Sequence, residues 1–467
     1  MPTTISINPL TRLEGHLDIE TSLDGPAGRR KVVAAKTAGT MFRGFEVILS
    51  GRDPRDAPHL TARICGVCPV SHAMAASMAL EAACDVPPSD NGRILRNLIL
   101  AADFLQSHIF HFYQLAMPDY VNLAGQLNTA PWTPGYKSGD MLTGAKAGEL
   151  VAHYVAALGI RRKAHEMGAI FGGRLPHSPA LVPGGCSQPL PDNASSMRKI
   201  AEFRRLLAEV REFIARVYVP DVYFLSEAFP EYAKIGRGCG NLLAFGVFNL
   251  DGEGSKKLFR GGCVTGGQDQ PVDAAKISEH VKFARYTAAS GNLHPAAGAT
   301  EPAAAKAGAY SWIKAPRYEG LTCEVGPSAR MWINGDYRRG ISVMDRLTAR
   351  ALEARKIADA MAAWVGELRP GKATAARVSY PAAGAGAGLA EAPRGALGHW
   401  VQFRDGAIER YQVVTPTAWN ASPMDDTGRP GPIEQALVGT PVADPNEPIE
   451  LLRVVHSFDP CTACSVH

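Results

Sequence analysis

Hydrophobic positions recur along this chain with two different periods. Residues 5–7, 16–20 and 31–35 are short alternating or β-branched runs separated by Gly25, Pro26 and Gly28, and they predict strands. From about Pro69 the period lengthens. Residues 71–83 are dominated by strong helix formers. Residues 93–117 carry Ile94, Leu98, Ala101, Leu105, Ile109 and Phe112 on one helical stripe. Residues 144–170, 194–219 and 342–368 are three more long amphipathic candidates, and helices of that length stack into a bundle. Residues 398–403 and 408–414 read as a β-hairpin. Gly/Pro-rich stretches at 172–191, 236–267 and 370–388 read as ordered loops, and 382–388 as a linker. The pattern predicts an α+β fold, predominantly helical, with a long central helix bundle and small peripheral sheets or hairpins. One domain is expected over 1–467: a β-rich part at 1–60, a helical core at 61–370, and a hairpin with a C-terminal segment at 371–467.

Composition removes several functions. Charged residues make up 20% and the hydrophobic set 46% of 467 residues, an ordinary globular balance. A net charge of +4 is too small for a nucleic-acid footprint. No apolar run approaches the roughly 18 residues of a membrane span. Met1 to Ile7 lacks a basic region followed by an apolar stretch, so no signal peptide is expected on this chain. There is no Walker A sequence, and the glycines around Gly384 and Gly386 lack the third member of a dinucleotide fingerprint.

Cysteine placement says more. Nine cysteines are too sparse for a disulfide scaffold. Four of them form two Cys-x-x-Cys pairs, Cys65/Cys68 near the start and Cys461/Cys464 near the end; the isolated Cys84, Cys186, Cys239, Cys263 and Cys323 are expected to pack as small hydrophobes. Two thiolates three residues apart can grip one ion. A zinc staple normally joins nearby pairs, whereas these lie almost a whole chain apart, at a high loop entropy for stability alone. Four thiolates with no neutral ligand suit soft metals, nickel or iron as well as zinc. His72 lies one turn beyond Cys68, placed either to hydrogen-bond its sulfur or to pack as an ordinary helix histidine.

The order of motifs then narrows the choice. Arg63, Cys65, Gly66, Cys68 and His72 form one; Asp459, Pro460, Cys461, Cys464 and His467 form another. Between and around them stand Arg12–Glu14–Gly15–His16, Arg43–Gly44–Phe45–Glu46, Phe171–Gly172–Gly173 with Pro176–His177, Tyr310 to Arg317, Ala392–Pro393–Arg394–Gly395, and Thr417 with Trp419–Asn420. In this order they resemble the large, catalytic subunit of an uptake-type nickel–iron hydrogenase, nearly end to end.

That resemblance implies both chain ends meeting at a buried nickel–iron centre. Cys65 and Cys461 would be terminal nickel ligands, and Cys68 and Cys464 would bridge to an iron carrying carbon monoxide and cyanide. Arg394 would hang over the open position, oriented by Asp459, with Pro393, Thr417 and Leu397 around the iron ligands. Cys461 would take the proton from dihydrogen and Glu14 would relay it. Glu46, the Ala421 carbonyl and His467 would hold magnesium or a second iron. One departure is visible: the family often has an aspartate where this chain has Ser107. No iron–sulfur cluster is expected in this chain, so an iron–sulfur small subunit would carry the electrons in an obligate heterodimer (or a dimer of heterodimers), with a membrane cytochrome or another acceptor beyond. The resemblance implies a periplasmic or membrane-associated home through an exported partner, with the cytoplasm as alternative. Ending at His467 fits a form from which a C-terminal extension has been cut. The expected activity is oxidation of dihydrogen to two protons and two electrons. The rivals are a hydrogen sensor of the same fold, a non-catalytic respiratory-complex relative, and a zinc-stapled structural protein.

Overall fold

The computed structural model describes residues 3–26, 28–122 and 136–467. The first three predicted strands form, each longer than its pattern: β1 (Thr3–Ile7), β2 (Leu17–Asp24) and β3 (Arg30–Gly39) make an antiparallel sheet, and a late strand at Pro441–Val442 pairs on the β3 edge. Alternation decides the sheet's inner face: Leu17, Ile19, Thr21 and Leu23 point inward while Glu20 and Asp24 face water. A short helix, α1 (Phe45–Leu49), follows and buries Glu46.

All five of the predicted helices form. α2 (Pro69–Cys84) begins on a proline, whose fixed φ suits the first turn. α3 (Asp90–Phe110) is capped by Ser89, which accepts from the Gly92 N–H, and is buried nearly all round. α4 (Gly144–Gly172) and α5 (Ala194–Phe213) follow, and α6 (Val343–Glu367) starts in a capping box of Ser342 and Asp345. The stripes of residues 93–117 and 194–219 run past α3 and α5 into π-helical turns at His111–Ala116 and Ile214–Tyr218. α3 packs on α4 and α6, and α5 packs on both α4 and α6.

Helix accounts for 43% of the residues and strand for 21%, so the fold is mixed rather than predominantly helical. Part of the extra strand lies where loops were expected. Residues 236–267 hold four short strands, Leu242–Ala244, Val247–Asn249, Lys257–Phe259 and Gly262–Thr265. The expected linker is also a strand. β4 (Ala383–Ala392), β5 (Gly395–Arg404) and β6 (Ala407–Val414) form one antiparallel sheet, and β4 lies flat on α2. Its glycines alternate because each faces helix backbone. A methyl group added at Gly388 would sit 1.9 Å from the Ala75 carbonyl oxygen, and one at Gly386 2.2 Å from that of Ala79. α2 offers alanines at 75, 79, 82 and 83 to receive them.

Gly388→Ala is therefore expected to destabilise the protein by about 3 kcal/mol, since neither backbone can give way locally. Gly159→Ala on α4, where nothing lies within 4 Å, should be neutral or stabilising by up to about 1 kcal/mol. Thermal melting of the two variants checks the contrast; equal melting points would refute the close approach.

Candidate metal centre

Two short-range features bring four sulfurs together. Cys65 and Cys68 lie in the loop that enters α2, where the N–H groups of Val67 and Cys68 point at Cys65 Sγ from 3.1 and 3.3 Å. Cys461 precedes, and Cys464 lies within, a one-turn helix at Thr462–Ser465, which is tied to the N-terminal segment by Thr462 N–H donating to the Glu14 carbonyl at 2.7 Å. The sulfur separations are 3.3 Å for Cys65–Cys461, 3.3 Å for Cys68–Cys464 and 2.9 Å for Cys461–Cys464. All four lie within 4.8 Å of one another and all are buried. Among the described residues this is the one such group of metal-ligating side chains.

Burial opposes ionisation of these thiols, and the neighbouring sulfurs divide the effect. Hydrogen bonds from Cys461, Cys464 and Cys68, with the Arg394 charge, overcome burial at Cys65 and hold it well below the usual thiol range. Burial and the adjacent sulfurs drive Cys461 well above it. A cluster so placed gains most from a divalent cation that replaces the protons. The donor set fits a soft metal: four sulfurs, no oxygen and no water-facing side.

The surrounding side chains are fixed by the fold. Arg394 is the second residue of the two-residue loop joining β4 to β5, where Ala392 pairs with Gly395. It is 2% exposed, so it is no surface-loop arginine. Its Nη2 donates to Asp459 Oδ1 at 2.8 Å and its Nη1 to Ser107 Oγ at 3.4 Å. Asp459 is held in the left-handed region at φ 58, a strained setting for a non-glycine residue. There its second oxygen accepts from Arg350 Nη1 at 3.3 Å. Glu14 Oε2 accepts from Cys461 Sγ at 3.1 Å and from Ala463 N–H at 3.2 Å. Burial raises the Glu14 carboxyl, and the Cys65 thiolate adds to this. Thr417 Oγ1 accepts from Cys461 N–H at 2.9 Å, Leu397 is fully buried, and the Pro393 carbonyl accepts from Arg330 Nη2 at 2.9 Å.

A profile of the family described as "Nickel-dependent hydrogenase" matches residues 43–133, 124–340 and 334–467. The chain belongs to this family. It is 42% identical to the periplasmic [NiFeSe] hydrogenase large subunit of Desulfomicrobium baculatum, over 99% of this chain and 94% of that one. With the uptake hydrogenase large subunit of Rhizobium leguminosarum bv. viciae the identity is 34%, over 99% and 95%. The solved Ni-Fe-Se hydrogenase of D. vulgaris Hildenborough superposes with a TM-score of 0.95 at 40% identity, each chain covered completely. The names of two of these relatives include selenium; this hydrogenase chain has sulfur at all four positions.

The remaining expected residues divide. Glu46 and His467 meet: His467 Nε2 is 3.3 Å from Glu46 Oε1, which also accepts from Val413 N–H at 2.8 Å. Despite burial, the Lys314 and His467 charges bring the Glu46 carboxyl down to about 2. Lys314 Nζ also reaches Glu279 at 3.4 Å and Gln412 at 3.0 Å. The Ala421 carbonyl is elsewhere, accepting from Thr37 Oγ1 at 3.2 Å. His72 pairs with His399 at 3.1 Å rather than with the Cys68 sulfur, and burial lowers it to about 4, leaving it neutral. His399 in turn meets the Tyr411 hydroxyl at 2.8 Å.

Sequence reasoning passed over Arg350, Arg330, Glu391, Glu279 and Asp103. Arg330 joins Glu353 and Glu391 in a fully buried ion-pair network and holds the Ala392 and Pro393 carbonyls, which fixes the Arg394 turn. Of these only Glu391 adjoins a motif, standing just before Ala392 to Gly395. Lys314 could have been found, because it lies in the Tyr310–Arg317 motif. Of the isolated cysteines, Cys186, Cys263 and Cys323 are buried, and Cys84 and Cys239 are partly exposed.

Proposed function

We propose that this chain is the catalytic subunit of a nickel–iron hydrogenase that oxidises dihydrogen to two protons and two electrons. The observation that carries the reading is the buried four-sulfur group formed by the two ends of the chain. When bound there, the metal group supplies an open coordination position for heterolytic cleavage of dihydrogen. Cys65 and Cys461 would be terminal nickel ligands, with Cys68 and Cys464 shared with an iron bearing carbon monoxide and cyanide.

The protein's own contribution follows from its geometry. Arg394 places a permanent positive charge beside the sulfurs, and Asp459 anchors its Nη2 at 2.8 Å. Thr417 and Leu397 form the rest of the wall around the iron side. Cys461 Sγ is the first proton acceptor and Glu14 Oε2 the second, with 3.1 Å between them. Because burial raises its carboxyl, Glu14 holds a proton more readily than an ordinary glutamate does. Glu46 and His467 form one wall of a hard-cation site for magnesium or iron; a ligand other than the Ala421 carbonyl would complete it.

Electrons leave through an iron–sulfur small subunit, since both paired cysteine motifs are used by the centre. The large-subunit names of the relatives support such a partner. The Desulfomicrobium name supports a periplasmic setting, reached with an exported partner. We read residues 1–467 as one domain, with α3 to α6 as the central bundle that carries the site. Elemental analysis with infrared spectroscopy on the purified heterodimer is the test. One nickel per chain with cyanide and carbonyl stretching bands is expected; zinc, or a metal-loaded chain without such bands, would overturn the reading.

A further inference from the structure

Helix α3 passes the centre with Asp103 and Ser107 one turn apart on the same side. Ser107 meets Arg394 there and brings no charge. Asp103 is 1% exposed. Its Oδ1 accepts from Gln106 Nε2 at 3.1 Å, and its Oδ2 has no hydrogen-bond partner. An ionised carboxylate with an open, buried oxygen is strongly penalised, whereas the protonated acid needs far less from its surroundings. The same Gln106 Nε2 donates to the Val67 carbonyl at 3.2 Å, inside the Cys65–Cys68 loop. Gln106 Oε1 accepts from Arg161 Nε on α4 at 3.1 Å, and the Arg161 guanidinium stacks on Phe110, 4.3 Å from the ring centre. One amide therefore links Asp103 to the sulfur loop and to a partly exposed arginine.

We propose that Asp103 is a titrating, positioning acid of the metal centre: it gains and loses a proton in place, and its charge sets the field at Arg394 and the Cys65–Cys68 loop. This rests on the nickel–iron reading above. Four groups face it. Gln106 belongs to its own helix; Arg161 comes from α4, Arg394 from the β4–β5 turn, and Cys65 from the sulfur loop. Burial lifts the carboxyl to about 7; the Cys65 thiolate pushes the same way, and Gln106, Arg394 and Arg161 hold it from rising further. His165, one turn beyond Arg161, is lowered by burial to about 4 and stays neutral across this range. Protonation of Asp103 is a simple transfer: one proton from solvent to one carboxylate oxygen, with no change in any metal. Its effect is to remove a negative charge from the α3 side of the centre, where Ser107 brings none, so the iron ligands should register it.

The test is an infrared pH titration of the purified heterodimer, wild type against Asp103→Asn and Arg161→Met. Asparagine keeps the shape and the Gln106 bond. Two signals are followed: the protonated-carboxyl stretch of Asp103, assigned by its loss in Asp103→Asn, and the carbonyl and cyanide bands. In the wild type both should change together with a midpoint near 7. Asp103→Asn should lose that transition and retain the separate one due to Glu14. Arg161→Met removes a cation that favours the ionised form, so its midpoint should move to higher pH. A carboxyl stretch unchanged in Asp103→Asn, metal-ligand bands that titrate identically in both proteins, or an Arg161→Met midpoint that stays or falls would each overturn the proposal. If Asp103→Asn fails to accumulate, the half-exposed Arg161 site still decides by the direction of its midpoint. A carboxyl transition without any carbonyl or cyanide bands would sink the nickel–iron reading, and the carboxyl stretch would still decide on Asp103.

Discussion

Replacing Cys461 or Cys464 by alanine is expected to give a folded chain that carries no nickel and oxidises no hydrogen. The two sulfurs are 2.9 Å apart and each has a partner from the first pair at 3.3 Å, so removing either breaks two of the closest contacts in the group. Three thiolates hold a soft ion far less firmly than four, and a buried alanine offers no replacement donor. The fold should survive. A sulfur-sized void costs about 1 kcal/mol, and the turn around it stays tied by Thr462 N–H to the Glu14 carbonyl and by Arg43 N–H to the Val466 carbonyl. Far-ultraviolet circular dichroism should therefore match the parent while nickel analysis and the infrared bands fall to background. Cys84→Ala, half-buried and outside the group, should change neither. A Cys464→Ala protein with full nickel and full activity would remove the basis of the assignment.

The four cysteines were legible because metal chemistry imposes spacing on the chain itself: two sulfurs on one ion must be near in sequence or be brought near, and here both occur. Glu14, Arg394 and Asp459 were legible only through their motifs. Periodicity found α2 to α6 because amphipathic stripes reflect burial of one face. It failed on β4 for a physical reason. The glycines at 384, 386 and 388 are selected by the backbone of α2 lying against them, a partner remote in sequence, so the strand has the composition of a linker. The same holds for charge. Arg330, Glu353 and Glu391 come from three separate elements, and nothing near any of them shows that it is fully buried. His72 had the right spacing to face Cys68, yet the ring pairs with His399, because β5 brings a second imidazole within 3.1 Å.

Glu14→Gln is expected to lower hydrogen oxidation by about 10²- to 10⁴-fold while nickel content and infrared bands remain. The amide can still accept the Ala463 N–H, so the loop keeps its shape, but it has no basic site to receive the proton from Cys461 Sγ. The pH profile separates this role from a structural one. To accept a proton Glu14 must be ionised, and burial places its carboxyl above the ordinary glutamate range. The rate should thus rise with pH through that raised value, and the limb should vanish in Glu14→Gln. Stability runs the other way. A carboxyl raised in the folded protein stabilises it below the unfolded-state pKa and loses that contribution as pH rises through the folded one. Glu14→Gln should then melt no lower than the parent at neutral pH, although it is the slower enzyme. Glu14→Asp keeps the acid but withdraws it by one methylene from a 3.1 Å contact, so it should retain the limb at a reduced rate. A glutamine variant with the parent's rate and an unchanged acid limb would place the proton exit elsewhere.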